Sequence, residues 1–75
     1  MPKLPQISAS RLIKAFEKIN FVVVSQKGSH IKMRDPSGRI AIIPNHKNIK
    51  KGTLKKGILN PLGITVNKLI QLLKK

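Results

Sequence analysis

Hydrophobic residues follow a helical spacing near the start of the chain. Leu12, Ile13, Phe16 and Ile19 recur at intervals of one, three and three residues, as on one face of a helix. Ser8 precedes this run and is suited to capping a helix, while Asn20 follows it and tolerates the left-handed conformation of a helix end. The pattern predicts a first helix that begins after Ser8 and closes near Lys18.

A second helical pattern occupies the C-terminal end. Its apolar stripe consists of Val66, Leu69, Ile70 and Leu73. Thr65 stands before the stripe as a capping residue. A shorter helix is predicted to begin after Thr53 and to stop at Asn60, because Pro61 restricts the conformation of the residue before it.

The middle of the chain has the composition of strands. Residues 21–25 are rich in β-branched and aromatic side chains, and residues 30–34 and 39–43 follow after turn-forming segments. These segments predict a three-stranded antiparallel meander. The order α-β-β-β-α indicates an α+β fold in which the helices pack on one face of the sheet. Residues 1–75 are too few to divide one core in two, so a single domain is expected.

Placing the hairpin centres between Lys27 and Gly28 and between Pro36 and Ser37 predicts which residues share a face of the sheet. The predicted pairs are Val24 with Ile31, Val22 with Met33, Ile31 with Ile42, and Met33 with Ile40. One face is then wholly apolar. The other face is predicted to carry His30, Lys32, Arg34, Arg39, Phe21, Val23 and Ile43, with Arg39 across from Arg34. This mixture of charge and apolar surface suggests a partner.

Charge narrows the choice of partner. Sixteen Lys and Arg against two acidic residues give a formal charge of +14, and nucleic acid is the usual reason to retain such an excess. With two Phe and no Trp or Tyr, base-stacking platforms are missing, so contacts should fall on phosphate and sugar. A generally basic, solvated surface is the alternative.

Other compositional features exclude several functions. The chain has no Cys, two His and two acidic residues, which are too few ligands for a protein-built metal site. No segment has the length of a membrane span or the apolar core of a signal peptide. We therefore expect a cytoplasmic protein with no metal, no small-molecule cofactor and no membrane partner.

Lysines also cluster around the start of the short central helix, where free backbone amides favour an anion. They are Lys50, Lys51, Lys55 and Lys56. A phosphate is their expected ligand, and simple solvation is the alternative. On the first helix, Arg11, Lys14 and Lys18 are interpreted as a solvated polar face.

The most reactive candidate is His30, at the start of the second predicted strand. A lone histidine in such a place is more often a surface residue than a catalyst, but this one has basic neighbours in Lys27, Lys32 and Arg34. An imidazole changes protonation near pH 6.5 and can act as a general base at neutral pH. It could take the proton of an RNA 2′-hydroxyl while the cations stabilise the charge on the attacked phosphate.

The turn before His30 suits the same chemistry. Gly28 lets the backbone approach a substrate, and the Ser29 hydroxyl could orient a phosphate. A general acid for the leaving oxygen is not determined at this point, since His46, Lys27 and water all remain candidates.

At these residues the chain resembles the HicA toxins, small messenger-RNA interferases of toxin–antitoxin pairs. The similarity rests on Ile19-Asn20-Phe21, Gly28-Ser29-His30, Pro44-Asn45-His46 and Gly52-Thr53-Leu54. It covers nearly the whole length. Two departures are visible: Asn20 replaces the usual Gly, and the segment 52–63 is one residue longer than the family pattern.

The resemblance implies a double-stranded-RNA-binding-domain-like fold and a type II toxin. It also implies metal-independent cleavage of messenger RNA, with His30 as the catalytic residue. Charge and position, rather than the resemblance, give the residues expected at the RNA, which are Lys27, Gly28, Ser29, Lys32, Arg34, Arg39, Lys50, Lys51 and Lys55. A HicB-type antitoxin is the implied partner and is expected to block the active site. The alternative is a related module that binds RNA without cutting it.

Overall fold

A computed structural model describes residue 4 and residues 6–74. The chain runs through α1 (Ala9–Glu17), β1 (Val22–Lys27), β2 (His30–Arg34), β3 (Ile40–Pro44), a π-helix (Thr53–Leu59), α2 (Asn60–Leu62) and α3 (Val66–Leu73). The strands form an antiparallel sheet in the order β1-β2-β3. The predicted α+β layout is confirmed.

Both ends of α1 form as the sequence predicts. The Ser8 hydroxyl accepts a hydrogen bond from the Arg11 amide at 3.3 Å, and Asn20 has a φ of 73°. The Phe21 amide then donates to the Phe16 carbonyl at 3.1 Å, and the two rings lie 5.2 Å apart. This is the backbone and apolar closure of a left-handed helix end. It draws Phe21 into the core, so the prediction that Phe21 lies on the same face of the sheet as His30 is wrong.

The first hairpin has a two-residue loop, Gly28-Ser29, that pairs Lys27 with His30. Gly28 has a φ of 59°, which the first position of such a loop can require. A bulge between Val23 and Ser25 shifts the register along β1. The predicted register of this hairpin is therefore wrong.

The second hairpin is also displaced from its predicted register. The Asp35 amide donates to the Arg39 carbonyl at 3.1 Å, so a three-residue loop separates them. Gly38 closes that loop with a φ of 93°. Ile31 consequently pairs with Ile43. The prediction paired Ile31 with Ile42 and placed Ile43 on the outer face, which is wrong.

The helices cover one face of this sheet. On that face the buried sheet residues are Ile31, Met33, Ala41 and Ile43, and they join Leu12, Phe16, Phe21, Ile49, Leu54, Ile58, Leu59 and Leu69 in one core. Within the described residues, the opposite face of the sheet has no helix packed on it. That uncovered face carries the candidate functional residues.

The central helix continues beyond the predicted stop. Lys51 and Gly52 are already helical and lead into the π-helix, so the prediction that the helix begins after Thr53 is wrong. α2 follows the π-helix without a break. Pro61 lies inside α2, so the prediction that the helix ends at Asn60 is wrong. The hydrogen bonds of a π-helix run from residue i to residue i+5, so its turns are wider than those of an α-helix. The helix ends at Gly63, whose φ is 70°.

Side chains cap the last helix, α3, at both of its ends. The Thr65 hydroxyl accepts from the Lys68 amide at 3.0 Å, as predicted for a helix start. At the other end, the Lys18 ammonium donates to the Leu72 and Lys74 carbonyls at 2.7 and 2.6 Å. Lys18 therefore ties α1 to α3 and is not merely solvated, which corrects its interpretation from the sequence. Leu69 and Leu72 are the buried residues of α3. Val66, Ile70 and Leu73 of the predicted stripe are only partly buried.

Candidate functional site

His30 occupies the first position of β2, between two cross-strand neighbours. It pairs with Lys27 of β1 and with Pro44 of β3. Its side chain is exposed, and among the described residues no side-chain hydrogen bond to its imidazole occurs. The imidazole is therefore free to meet a ligand.

Alternation along β2 places its basic residues on one face. His30, Lys32 and Arg34 are exposed, while Ile31 and Met33 between them are buried. Pairing extends this into three cross-strand rows. The rows are Lys27-His30-Pro44, Ser25-Lys32-Ile42 and Val22-Arg34-Ile40. We call these nine residues, with the bulged Val24, the open face.

The open face is apolar at its flanks. Its exposed hydrophobic residues are Val22 (57%), Val24 (49%), Ile40 (40%) and Ile42 (45%). A depression of about 210 Å³ lies beside them, lined in part by Val22, Val24 and Arg34. A face with both apolar and cationic groups was predicted, but three of its predicted apolar members are wrong. Phe21 and Ile43 are buried, and Val23 pairs with Met33 on the other side.

Arg39 is absent from the open face, because Ile40 takes the place across from Arg34. Its Nε donates to the Asp35 carboxylate at 2.7 Å, and its Nη1 donates to the Leu62 carbonyl at 3.0 Å. The guanidinium also lies 5.3 Å from the centre of the Phe21 ring. These contacts hold the β2–β3 turn against α2, so the prediction that Arg39 stands beside Arg34 is wrong, and we do not include Arg39 among the RNA-binding residues.

Asp35 is the buried acidic group of this turn. Burial alone would raise the pKa of its carboxyl. Hydrogen bonds from the Arg39 side chain and amide, both at 2.7 Å, and from Ser37 outweigh that effect and lower the pKa, with the Arg39 charge acting in the same direction. The carboxylate is thus a structural anion of the β2–β3 turn, and Asp35 also lines the depression beside Val22 and Arg34.

The loop after β3 runs beside the turn that carries His30. The Asn45 amide donates to the Ser29 carbonyl at 2.6 Å, which continues the pairing of β2 and β3 by one residue. The His46 carbonyl then accepts from the Ala9 amide at 2.9 Å. Both histidines of the chain therefore stand at one corner of the sheet, near the start of α1.

The predicted lysine cluster lies further along the same loop. Lys50, Lys51 and Lys55 are exposed, and the Lys50 carbonyl accepts from the Leu54 amide at 2.9 Å in the first turn of the central helix. They belong to a different element from Lys27, Lys32 and Arg34. The basic residues expected at the RNA thus lie on two separate surfaces, which residues 45–50 join.

Two findings concern metals and membranes. Within residues 6–74, no three His, Asp or Glu side chains come together as a metal-binding group. In the same part of the chain, none of the helices is long and apolar enough to cross a membrane.

Comparison with known proteins gives one family. Residues 9–64 match the sequence profile of a family described as "HicA toxin of bacterial toxin-antitoxin". The match runs from the start of α1 to the end of the central helix and includes both histidines. Among curated proteins, no relative matches the chain.

Proposed function

Because the chain belongs to the HicA toxin family of bacterial toxin–antitoxin systems, we propose that it is an RNA-cleaving toxin with His30 as its catalytic base. The observation that carries this proposal is the placement of His30. Its exposed imidazole stands in the Gly-Ser-His turn, in a row with Lys27 and on one face with Lys32 and Arg34. A general base and a cationic surface are thus presented to one substrate.

The proposed chemistry starts at a 2′-hydroxyl of RNA. Neutral His30 accepts the hydroxyl proton, and the 2′-oxygen attacks the neighbouring phosphorus. Lys27 and Lys32 stabilise the negative charge that grows on the phosphate oxygens, a task that a metal ion performs in other nucleases. The bond from phosphorus to the 5′-oxygen breaks, and that oxygen takes a proton from a general acid. The products are a 2′,3′-cyclic phosphate and a 5′-hydroxyl. DNA lacks the nucleophile and is not cut.

Binding of the RNA is proposed to use both basic surfaces. Lys27, Lys32 and Arg34 hold the phosphates at the cleavage point, with Gly28 and Ser29 next to them. The cluster Lys50, Lys51 and Lys55 holds the strand that continues past residues 45–50. Such contacts release counterions, so binding should weaken as the salt concentration rises. A plot of the logarithm of the binding constant against the logarithm of the salt concentration should have a slope of about −0.7 per phosphate contact on single-stranded RNA.

A toxin of this family implies an antitoxin, and we propose that a HicB-type protein covers the open face. Four exposed hydrophobic residues flank the basic row of β2. The 210 Å³ depression beside Val22 and Arg34 would take an apolar side chain next to an acidic one. An antitoxin bound there would cover His30 and exclude RNA.

The activity test uses wild type, His30→Ala and labelled RNA in excess EDTA. We expect fragments from wild type alone, ending in 2′,3′-cyclic phosphate or 3′-phosphate. Binding to an RNA with 2′-O-methyl groups, which cannot be cut, should be equal for both proteins. Lys32→Ala should bind this RNA more weakly than Lys68→Ala, its control on α3. Cleavage by His30→Ala at the wild-type rate would contradict the proposal.

The test also separates the second candidate function. The +14 charge alone would serve a module that holds RNA without cutting it. In that case wild type and His30→Ala would both bind and neither would cleave.

The antitoxin surface has its own matched test. Val22 and Val23 are adjacent and both exposed, but only Val22 belongs to the open face. Val22→Ser should weaken binding to the antitoxin about tenfold, as expected for the loss of apolar contact, while Val23→Ser should not. Equal effects of the two substitutions would place the antitoxin elsewhere.

A further inference from the structure

The second histidine stands close enough to the first to share its reaction. We propose that His46 is the general acid that protonates the leaving 5′-oxygen when RNA is cleaved. The inference rests on the proposed function, because it assigns a second catalytic residue to that reaction. It is carried by the backbone bonds that fix His46 beside the turn of His30.

Strand pairing limits the distance between the two histidines. His30 pairs with Pro44, two residues before His46, and the Asn45 amide bonds to the Ser29 carbonyl at 2.6 Å. A cross-strand pair spans about 5 Å and two residues span at most about 7 Å, so the two histidine Cα atoms are at most about 12 Å apart. Both side chains are exposed. One phosphodiester bound at this corner can therefore meet both imidazoles.

The backbone of His46 is held on both sides. Its amide donates to the Pro44 carbonyl at 2.9 Å, and its carbonyl accepts from the Ala9 amide at 2.9 Å. Ala9 begins α1 and is buried. The exposed side chain of His46 thus extends from a fixed point of the fold, which is what a positioned acid requires.

Among the groups around this corner, His46 is the best suited to act as the acid. Lys27 of β1, Lys32 of β2 and Lys47 of the loop are cations, and α1 carries no charge before Arg11. Among the described residues no carboxylate competes for the role, because Asp35 accepts hydrogen bonds from Arg39 and Glu17 lies at the opposite end of α1 from Ala9. The ordinary pKa of an ammonium group is about four units above that of an imidazolium, so an ammonium is the weaker acid. Lysines therefore suit charge stabilisation better than proton donation near neutral pH.

The complete step balances with two histidines. His30 takes the proton of the 2′-hydroxyl, and the 2′-oxygen forms a bond to phosphorus. The bond between phosphorus and the 5′-oxygen breaks, and that oxygen takes a proton from His46. His30 ends protonated and His46 ends neutral, and exchange with water restores both. No oxidant, reductant or metal is consumed.

A modified substrate tests the acid directly. In RNA with sulfur in place of the leaving 5′-oxygen, the leaving group departs without a proton. On ordinary RNA, His46→Ala should cleave at least about 100-fold more slowly than wild type, the usual effect of losing a general acid. On the sulfur-containing RNA the two proteins should cleave at similar rates, whereas His30→Ala should be slow on both substrates.

The pH profile is a second readout. Wild type should show a bell-shaped dependence of kcat/KM, and His46→Ala should lose the fall on the alkaline side, where the acid would have lost its proton. Asn48→Ala, an exposed change in the same loop, should match wild type in both assays. Circular dichroism and binding to 2′-O-methyl RNA confirm that each variant folds and binds.

The outcomes separate the two proposals. Absence of cleavage by wild type would overturn the proposed function itself. Cleavage by wild type with an unchanged rate in His46→Ala would overturn only the role of His46. A slow His46→Ala that the sulfur substrate does not restore would also overturn the role, because it would indicate a defect in positioning.

Discussion

The register of the second hairpin predicts that substitutions at two adjacent isoleucines lower the stability of the fold by very different amounts. Ile43 is fully buried against the helices, whereas Ile42 is 45% exposed on the open face beside Lys32. A register displaced by one residue would exchange these environments, because neighbouring side chains of a strand point to opposite faces. Replacing each with Ala therefore makes a matched pair of variants.

The expected magnitudes differ severalfold. Ile43→Ala removes a buried side chain and leaves a cavity, which costs about 2–5 kcal/mol of unfolding free energy. Ile42→Ala removes strand propensity and partial burial only, at a cost of at most about 1 kcal/mol. A chain of this length has roughly 4–11 kcal/mol of stability in total. Ile43→Val, at a cost of about 1 kcal/mol, provides a version that should stay folded.

Urea unfolding measures these differences. Far-UV circular dichroism is the suitable signal, because the chain has no Trp or Tyr. With a denaturant slope of about 1 kcal/mol/M, the midpoint should fall by about 2–5 M for Ile43→Ala, by about 1 M for Ile43→Val and by no more than about 1 M for Ile42→Ala. A larger loss in Ile42→Ala than in Ile43→Ala would refute the register and with it the composition of the open face.

Three further predictions concern the ends and turns of the fold. Folding lowers the pKa of Asp35, so its contribution to stability is present above its ordinary pKa and is lost as the pH falls below about 4. Asp35→Asn should therefore melt at a lower temperature than wild type at pH 7, and its melting temperature should fall less than that of wild type as the pH is lowered. Glu17→Gln should resemble wild type at every pH. Lys18→Ala should lose about 1 kcal/mol in chemical unfolding, since it removes the donor to the last carbonyls of α3, and an equal loss in Lys14→Ala would contradict this cause. Asn20→Gly should raise the melting temperature and Asn20→Ala should lower it, because the φ of 73° suits glycine best, and the reverse order would contradict the strained turn.

Local signals in the sequence were sufficient for the order of the elements, for both ends of α1 and for the start of α3. Ser8, Asn20 and Thr65 each act through their own backbone or nearest turn, and all three lie where the sequence predicts a helix start or a helix end. The grouping of His30 with Lys32 and Arg34 also followed from sequence, because alternation along one strand needs no knowledge of its partners.

The features that depend on pairing between strands were predicted less well. A Gly-Ser loop of two residues and a Pro-Ser-Gly loop of three were readable from Gly28 and Gly38, and using them would have corrected most of the register. The Val24 bulge left no comparable signal. Arg39 was placed on the wrong face for the same reason, since its contacts to Asp35 and Leu62 come from the fold of the turn.

The candidate site was only partly predictable for a related reason. The sequence identifies two histidines, but it does not give the backbone hydrogen bonds that hold the second one. These bonds join Asn45 to Ser29 in the first hairpin loop and His46 to Ala9 at the start of α1. Those bonds join segments that are distant along the chain. Their strength does not depend on side-chain identity, so no residue pattern marks them.

The bulge at Val24 has a consequence for how molecules of this protein meet one another. β1 is an edge strand that contains three consecutive exposed valines, a template onto which another strand could add. The bulge interrupts the row of free amides and carbonyls within that valine run, and a formal charge of +14 on each molecule repels a second copy. An acidic partner is attracted by the same charge that keeps identical molecules apart. The bulge and the charge therefore both act against pairing of the β1 edge of one molecule with that of another.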